Sequence, residues 1–363
     1  MNTQEVTENA TFHPDQLRRY VFDVCSAIGS EPYEANLVAE QLVEANLSGH
    51  DSHGVGMMPA YVQSALGGRL RLNQHASVAV DNGAILIVEG ARGFGSVMAK
   101  EATDLAIERA RETGVALLGL RNSFHIGRIG RWGEQSARQG LVSISFVNVA
   151  GHSPLVAPYG GGEARFATNP VCIAIPGSNG QPSTVLDMAT SIIAMGKARV
   201  ARNQGVPVPD GTVLDGEGKV TTSPEPMFTN PREGALVAFG DHKGSGLAIM
   251  AEILGAALIG GTTMAPHHER DNSIINSMLS IVIDPSATDG SLVDEAEAFL
   301  TYVKAARQRE GFDEVLIPGE PELQARAARA EGIMIDGGTL AELRATATAA
   351  GLDDDTVVDL LGV

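Results

Sequence analysis

"GARGFGS", residues 90–96, is the stretch on which the fold turns. It follows an apolar run, "AILIVEG" (84–90), and precedes helical spacing over about 96–112. A dinucleotide-binding Rossmann unit would keep its phosphate loop in such a place. The stretch lacks the G-x-G-x-x-G spacing, and no acidic residue closes a second strand about 20 residues on, where a ribose would be held. An ordinary Rossmann fold is therefore disfavoured.

Working outward, further strands are predicted at "VALLGL" (115–120), "LVSISFVNV" (141–149), "VCIAIPG" (171–177), "TVLDMA" (184–189) and "LSIVIDP" (279–285). Helical spacing recurs over about 131–138, 191–203 and 245–259. Toward the N-terminus the pattern is helical throughout. Leu17, Tyr20, Val21, Val24, Cys25 and Ile28 lie at helical intervals, Ser30 and Pro32 open a second helix, and a third runs from Pro59 to Leu66. After residue 290 helices dominate again. An α/β centre lies between two helical ends, which predicts a discontinuous helical domain (1–75 with 290–363) and an α/β domain (76–289).

The chain has 363 residues, 44% of them hydrophobic and 19% charged, enough for a large core and unlike a disordered composition. A formal charge of −18 without a basic run excludes nucleic acid and an anionic membrane surface as expected partners. The two cysteines, Cys25 and Cys172, suggest neither a disulfide framework nor a zinc site, which fits a reducing cytoplasm. The segment "MNTQEVTENATF" shows no export signal, and the longest apolar run (245–261) contains Glu252 and is too short to span a bilayer.

Polar residues gather against glycine in four loops. These are "SGHDSHGVG" (48–56) with Ser52 and His53, "RNSFHIGRIGRW" with His125, Arg128 and Arg131, "DMATSIIAMGK" with Asp187, Thr190 and Ser191, and "FGDHKGSG" with His242 and Lys243. Taken singly, each has a bland reading. Ser52 can cap a helix, His53 can be a solvated turn residue, His125 a hydrogen-bonded core histidine, Asp187 a cap, and Thr190 or Ser191 the cap of the helix after it. The "HHER" run (267–270) carries adjacent histidines, which do not share a helical face as metal ligands would, so no metal is assigned. Together the loops offer a proton carrier titrating near neutral pH, a guanidinium for a carboxylate and glycine-flanked backbone for a dinucleotide. Spacing cannot show that they meet.

Several longer stretches carry a resemblance. "GHDSHGVGMMPAYV", "NSFHIGRIGRWGEQSARQG", "RFATNPVCIAIP", "VLDMATS", "VPVPDGTVLDGEGKVTTSP" and "DHKGSGLAIMAEILGAALIGG" resemble the type 2 malate/L-lactate dehydrogenases over about residues 12–335. That family is unrelated to the Rossmann lactate dehydrogenases and includes ureidoglycolate, sulfolactate and cyclic-imine enzymes. The resemblance implies a non-Rossmann NAD(P) fold with a large, mostly antiparallel sheet, helices from both termini, and a homodimer. It implies hydride transfer between 2-oxo and 2-hydroxy acids with NAD or NADP. His125 matches the proton carrier, while Ser52, His53 and Asp187 match an active-site relay in which His53 lies against cofactor or substrate. For the cofactor it points to His53, Gly127, Arg128, Ile129, Thr168, Asp187, Met188, Ala189, Thr190, His242, Lys243, Asn276, Pro318, Gly319 and Glu320.

One departure stands out. Many relatives carry an arginine shortly after Ser-His-Gly, where this chain has Met57-Met58. A deformable thioether there predicts tolerance of bulky or aromatic 2-oxo acids, with Arg128 or Arg131 taking the carboxylate. Two readings from other classes stand beside this one: a silent dinucleotide-binding protein, and a hydrolase using Ser52, His53 and Asp187. Arg199 and Arg202 are further candidates for a 2′-phosphate.

Overall fold

The computed structural model describes residues 8–362. The expected lack of an export signal falls largely on residues 1–7, outside the described residues. Thirteen strands are described: β1 (Ala10–Phe12), β2 (Ser77–Asn82), β3 (Ile85–Glu89), β4 (Val115–Phe124), β5 (Val142–Ala150), β6 (Val156–Ala157), β7 (Val171–Pro176), β8 (Pro182–Met188), β9 (Val213–Leu214), β10 (Val220–Thr221), β11 (Ala235–Val237), β12 (Ile275–Ile283) and β13 (Ile333–Ile335). The helices are α1 (Pro14–Ala27), α2 (Pro32–Leu47), α3 (Met58–Leu66), α4 (Gly95–Thr113), α5 (Gly130–Arg138), α6 (Met195–Gln204), α7 (His242–Gly255), α8 (Leu292–Lys304), α9 (Glu320–Ala328), α10 (Gly337–Ala350) and α11 (Asp354–Leu361).

Seven strands form the main sheet in the order β2-β3-β4-β12-β5-β7-β8. Only the β3–β4 pair is parallel; every other neighbour runs antiparallel. The large, mostly antiparallel sheet expected from the family resemblance is therefore present. α4 and α5 cover one face, and α7 with the turn after it covers the other. Alternating side chains serve both layers: Ser145 meets Ser280 under α5, while Asn148 reaches Glu252 of α7. Covered on both sides, β12 is nearly all buried.

Helices from the two ends pack together, α1 against α2, α10 and α11, and α10 against α3. β1 and β13 tie the ends by pairing Ala10 with Ile335 and Phe12 with Ile333. The main core runs without a break from these helices into the sheet, from Leu17 and Tyr20 to Leu118 and Phe124. α8, by contrast, lies against β8. A second small sheet, β10-β9-β11-β6, has its own core with Val156, Val213, Leu236 and Ala198 of α6. Sequence periodicity did not reveal it, because strands of two or three residues have no period to read.

Local chemistry explains several helix starts. Pro14 and Pro32 occupy first-turn positions, and Asp336 and Asp353 accept backbone N–H bonds at the starts of α10 and α11. The helix expected over 191–203 begins only at Met195. Thr190 and Ser191 do not cap it; Thr190 donates twice to the Thr168 carbonyl, and Ser191 pairs with Ala238.

The glycines of "GARGFGS" serve packing. A Cβ on Gly90 would fall 2.8 Å from Ser123 Cα, and one on Gly95 would fall 2.1 Å from the His125 carbonyl oxygen. The β3–α4 turn is thus pressed onto the 122–126 backbone, where Arg92 and Phe124 exchange bonds with Asn122 and Gly93. The stretch that fails as a phosphate loop seats a histidine.

Candidate active site

That histidine lies just beyond β4, where Ile126 N donates to Asn276 Oδ1 at 2.9 Å and Gln41 Nε2 donates to the Ile126 carbonyl. Asn276 also donates to the Asn148 carbonyl. Its amide, expected at the cofactor, is thus committed to holding the loop under His125. With both the N–H and the carbonyl of Ile126 bonded, the backbone that carries His125 is held in place.

His53 stands against it. The rings stack with centroids 5.3 Å apart and planes 24° from parallel. Two short turns, Asp51–His53 and Val55–Met57, carry His53 there, held by Asn46, whose side chain bonds Asp51 and the Val55 N–H. Gly54 has no room for a side chain, since a Cβ would fall 2.2 Å from Asn46 Oδ1. Burial lowers the His125 pKa well below the usual imidazole range, and neighbouring His53 lowers it further. Burial likewise pushes His53 down to about 4, helped by the charges of His50 and Arg128. Both rings are neutral at pH 7. His53 Nδ1 is buried and has no hydrogen-bond partner.

Tyr61 completes the group and was not singled out in the sequence. Its hydroxyl lies 2.7 Å from His125 Nδ1, a hydrogen bond whose direction follows the imidazole tautomer. Burial raises its ionisation well above the usual phenol range, so the hydroxyl keeps its proton. A tyrosine on the helix directly after the Ser-His-Gly turn, in a chain with five tyrosines, was the available signal. Tyr61→Phe would strand Nδ1. The expected result is a roughly tenfold lower kcat, about the worth of one buried hydrogen bond, with a displaced pH profile for kcat/KM. An unchanged profile would reduce Tyr61 to packing.

Asp187 ends β8 and accepts the Gly130 N–H at 2.8 Å, occupying the N-terminus of α5. Burial raises its pKa, against the pull of Arg128 3.8 Å away. No hydrogen bond joins it to Ser52 or His53. The hydroxyl–imidazole–carboxylate chain that a serine hydrolase requires is absent among these three residues.

Arg128 is 2% exposed and sits between Glu44 at 2.9 Å and Glu134 at 2.7 Å. Arg131 pairs with Glu40 and Glu44, and Arg326 of α9 closes the cluster on Glu44 and Glu134. Burial alone would raise the Glu44 carboxyl; Arg128, Arg131 and Arg326 outweigh it and hold it at about 2. α9 also clasps the 48–51 loop through Glu322 to His50, and Arg329, just after the helix, bonds Asp51. Sequence reading missed Glu44, Glu134 and α9's role, because the partners lie 192 and 282 positions from Arg326.

The remaining candidates divide. Thr168 and Asp187–Thr190 are joined through Thr190, whose carbonyl accepts from Phe239 and so draws in the turn before His242 and Lys243. Gly127 takes φ 70° against Gln41. Ile129 is buried in the core, and Met57 packs on that core's edge. Met188 and Ala189 are partly buried. Pro318, Gly319 and Glu320 are pinned on β8, the Pro318 carbonyl accepting from Thr184 and Val185, while Glu320 pairs with Lys304. Ser52 lies under α6, where a Cβ on Gly196 would meet its Cβ at 2.3 Å. Among the described residues, no cluster of three His, Cys, Asp or Glu could hold a metal, and no helix is long and apolar enough to cross a membrane. Both cysteines are free and buried.

A nicotinamide dinucleotide fits these residues at two points. Exposed His242 and Lys243, without carboxylate partners among the described residues, stand at the N-terminus of α7, where cations and helix dipole suit phosphate. The unpartnered His53 Nδ1 offers a buried polar atom to a ligand.

A seven-stranded sheet that is antiparallel except for one pair, with a stacked imidazole pair just beyond the end of β4, lies outside the Rossmann class. The chain belongs to the malate/L-lactate dehydrogenase family, whose sequence profile matches residues 12–344. It is 44% identical to hydroxycarboxylate dehydrogenase B of Escherichia coli K12 over 95% of this chain and 96% of that one. It is 39% identical to the L-lactate dehydrogenase of Cupriavidus necator over 83% and 87% of the two chains. Among solved structures, the sulfolactate dehydrogenase of Methanocaldococcus jannaschii superposes with TM-score 0.84 at 30% identity, covering 96% of this chain and 99% of that one. Dehydrogenases of this family generally use nicotinamide cofactors.

Proposed function

We propose that this chain interconverts 2-oxo and 2-hydroxy acids by hydride transfer with NAD or NADP, His125 moving the proton. The observation that carries the reading is the buried His125 ring, stacked on His53 and bonded through Nδ1 to Tyr61. The bound nicotinamide supplies or removes the hydride. With Nδ1–H donating to the Tyr61 oxygen, Nε2 is left to take the hydroxyl proton in oxidation or return it to the carbonyl oxygen in reduction. A neutral imidazole suits the base. An arriving carboxylate favours the imidazolium and so readies the acid. His53 walls the site and keeps water from the ring, while Asp187 orients α5 and balances Arg128. Arg128 and Arg131, expected at the substrate carboxylate, are instead taken up by Glu40, Glu44, Glu134 and Asp187.

Bulky substrates belong to the same proposal. Met57 places a deformable thioether after the Ser-His-Gly turn, and phenylpyruvate-like acids are expected above oxaloacetate. The test is loss of absorbance at about 340 nm with NADH or NADPH and a panel of 2-oxo acids and cyclic imines. A kcat/KM for oxaloacetate far above that for phenylpyruvate would refute the substrate preference, and cofactor binding without turnover would favour a silent binding protein. A cytoplasmic homodimer goes with this reading. Ile249, Met250 and Ile253 on α7, with Leu258 just after it, leave an exposed apolar face suited to a second copy. Monomer mass in solution would remove it.

A further inference from the structure

A 2-oxo acid needs a cation for its carboxylate, and the two arginines of the His125 loop and the helix after it are already engaged. Arg128 is enclosed by Glu44, Glu134 and Asp187, and Arg131 by Glu40 and Glu44. On α6, Arg202 pairs with Glu225 and lies over the Phe228 ring, 4.8 Å from its centroid. Arg199 differs. Among the described residues no carboxylate or carbonyl bonds its guanidinium, although the chain carries 44 acidic residues.

Its place is equally specific. α6 crosses the turns that carry His53, with Gly196 against Ser52 and, one helical turn on, Arg199 beside Gly56. The Nη2 atom lies 3.5 Å from the point where a Cβ on Gly56 would stand. Gly56 is buried and offers no side chain, and Met57 beside it cannot bind an anion. A partly buried guanidinium therefore overhangs the Ser52–Met57 segment with its donors free.

We propose that Arg199 receives the substrate carboxylate and makes the acid group a condition of recognition. This inference rests on the hydride-transfer reading and deepens it. A free guanidinium can hold a carboxylate by two parallel bonds, which aligns the adjacent carbonyl as well as binding it. Arg128 and Arg131 then act as structure, holding α2, α5 and α9 together.

The full chain is assayed as wild type, Arg199→Gln and Arg199→Lys, with phenylpyruvate and its methyl ester at saturating NADH or NADPH. In Arg199→Gln the KM for the acid is expected to rise about 10- to 100-fold, as for loss of a charge-assisted contact. kcat changes less, the KM for the cofactor stays within about twofold, and the preference for acid over ester largely disappears. Arg199→Lys falls between. An unchanged KM for the acid overturns the inference. So does a rise confined to the KM for NADPH, which would give the guanidinium to the cofactor phosphate. A wild-type chain that reduces no 2-oxo acid removes the broader reading and this inference together, whereas an indifferent Arg199→Gln removes this one alone.

Discussion

Replacing His125 with glutamine is expected to lower kcat for 2-oxo acid reduction by about 10²- to 10⁴-fold, the usual weight of a positioned acid or base. The fold should survive, because a glutamine can still meet the Tyr61 hydroxyl and His125 is held by its backbone, through Asn276, Gln41 and the close approach of Gly95. The pH profile separates a proton carrier from a packing residue. In the free enzyme His125 titrates well below the ordinary imidazole value, so oxidation of the hydroxy acid should fade only in the acid range. That acid limb should vanish in the variant. A variant retaining the limb and most of its rate would transfer the role to His53, whose pKa is pushed down to about 4.

Replacing Arg128 with methionine should cost about 3–5 kcal/mol of stability, the range for a buried ion pair that loses one partner. Glu44 and Glu134 would face each other with Arg326 and Arg131 alone between them, and Asp187 would lose its nearest cation. The denaturant midpoint reads the loss. Adding Glu134→Gln should recover part of it, because the two positions share one network. Lysine at 128 restores charge without the guanidinium's several donors and should fall short of wild type. An unchanged midpoint for the methionine variant would mean that desolvation already cancels the attraction. Acid should act on the same cluster. Glu44 sits at about 2 in the fold and titrates higher when unfolded, so its stabilisation is complete above about pH 4.5 and lost as pH falls toward 2.

Much of the secondary structure was legible because its signals are local. The periods of α1, α2 and α4 show in their apolar residues, and β5, β7 and β12 show as apolar runs. β2 was not read, since all six of its residues are exposed and nothing marks a buried face. α6 was read too long, because Thr190 and Ser191 have the chemistry of a cap while their bonds go to Thr168 and Ile193. The four loops were found as candidate site residues from composition alone. Which of their arginines are free was not legible: Arg128, Arg131 and Arg199 look alike until their carboxylate neighbours are placed.

By itself the sequence determined what depends on a few neighbouring residues. Proline and aspartate set helix starts, apolar spacing set the helical ends and the strands of the centre, and the spacing of "GARGFGS" argued against a Rossmann phosphate loop. The tertiary structure alone decided what those glycines are for, and it stacked His53 on His125 across 72 residues of chain. It also drew the end of α9 over the 48–51 loop, through Arg326 to Ser48 and through Arg329, just after the helix, to Asp51. Burial and charge pairing depend on distance in space, and no local pattern encodes the stacked imidazole pair or the Arg199 guanidinium beside Gly56.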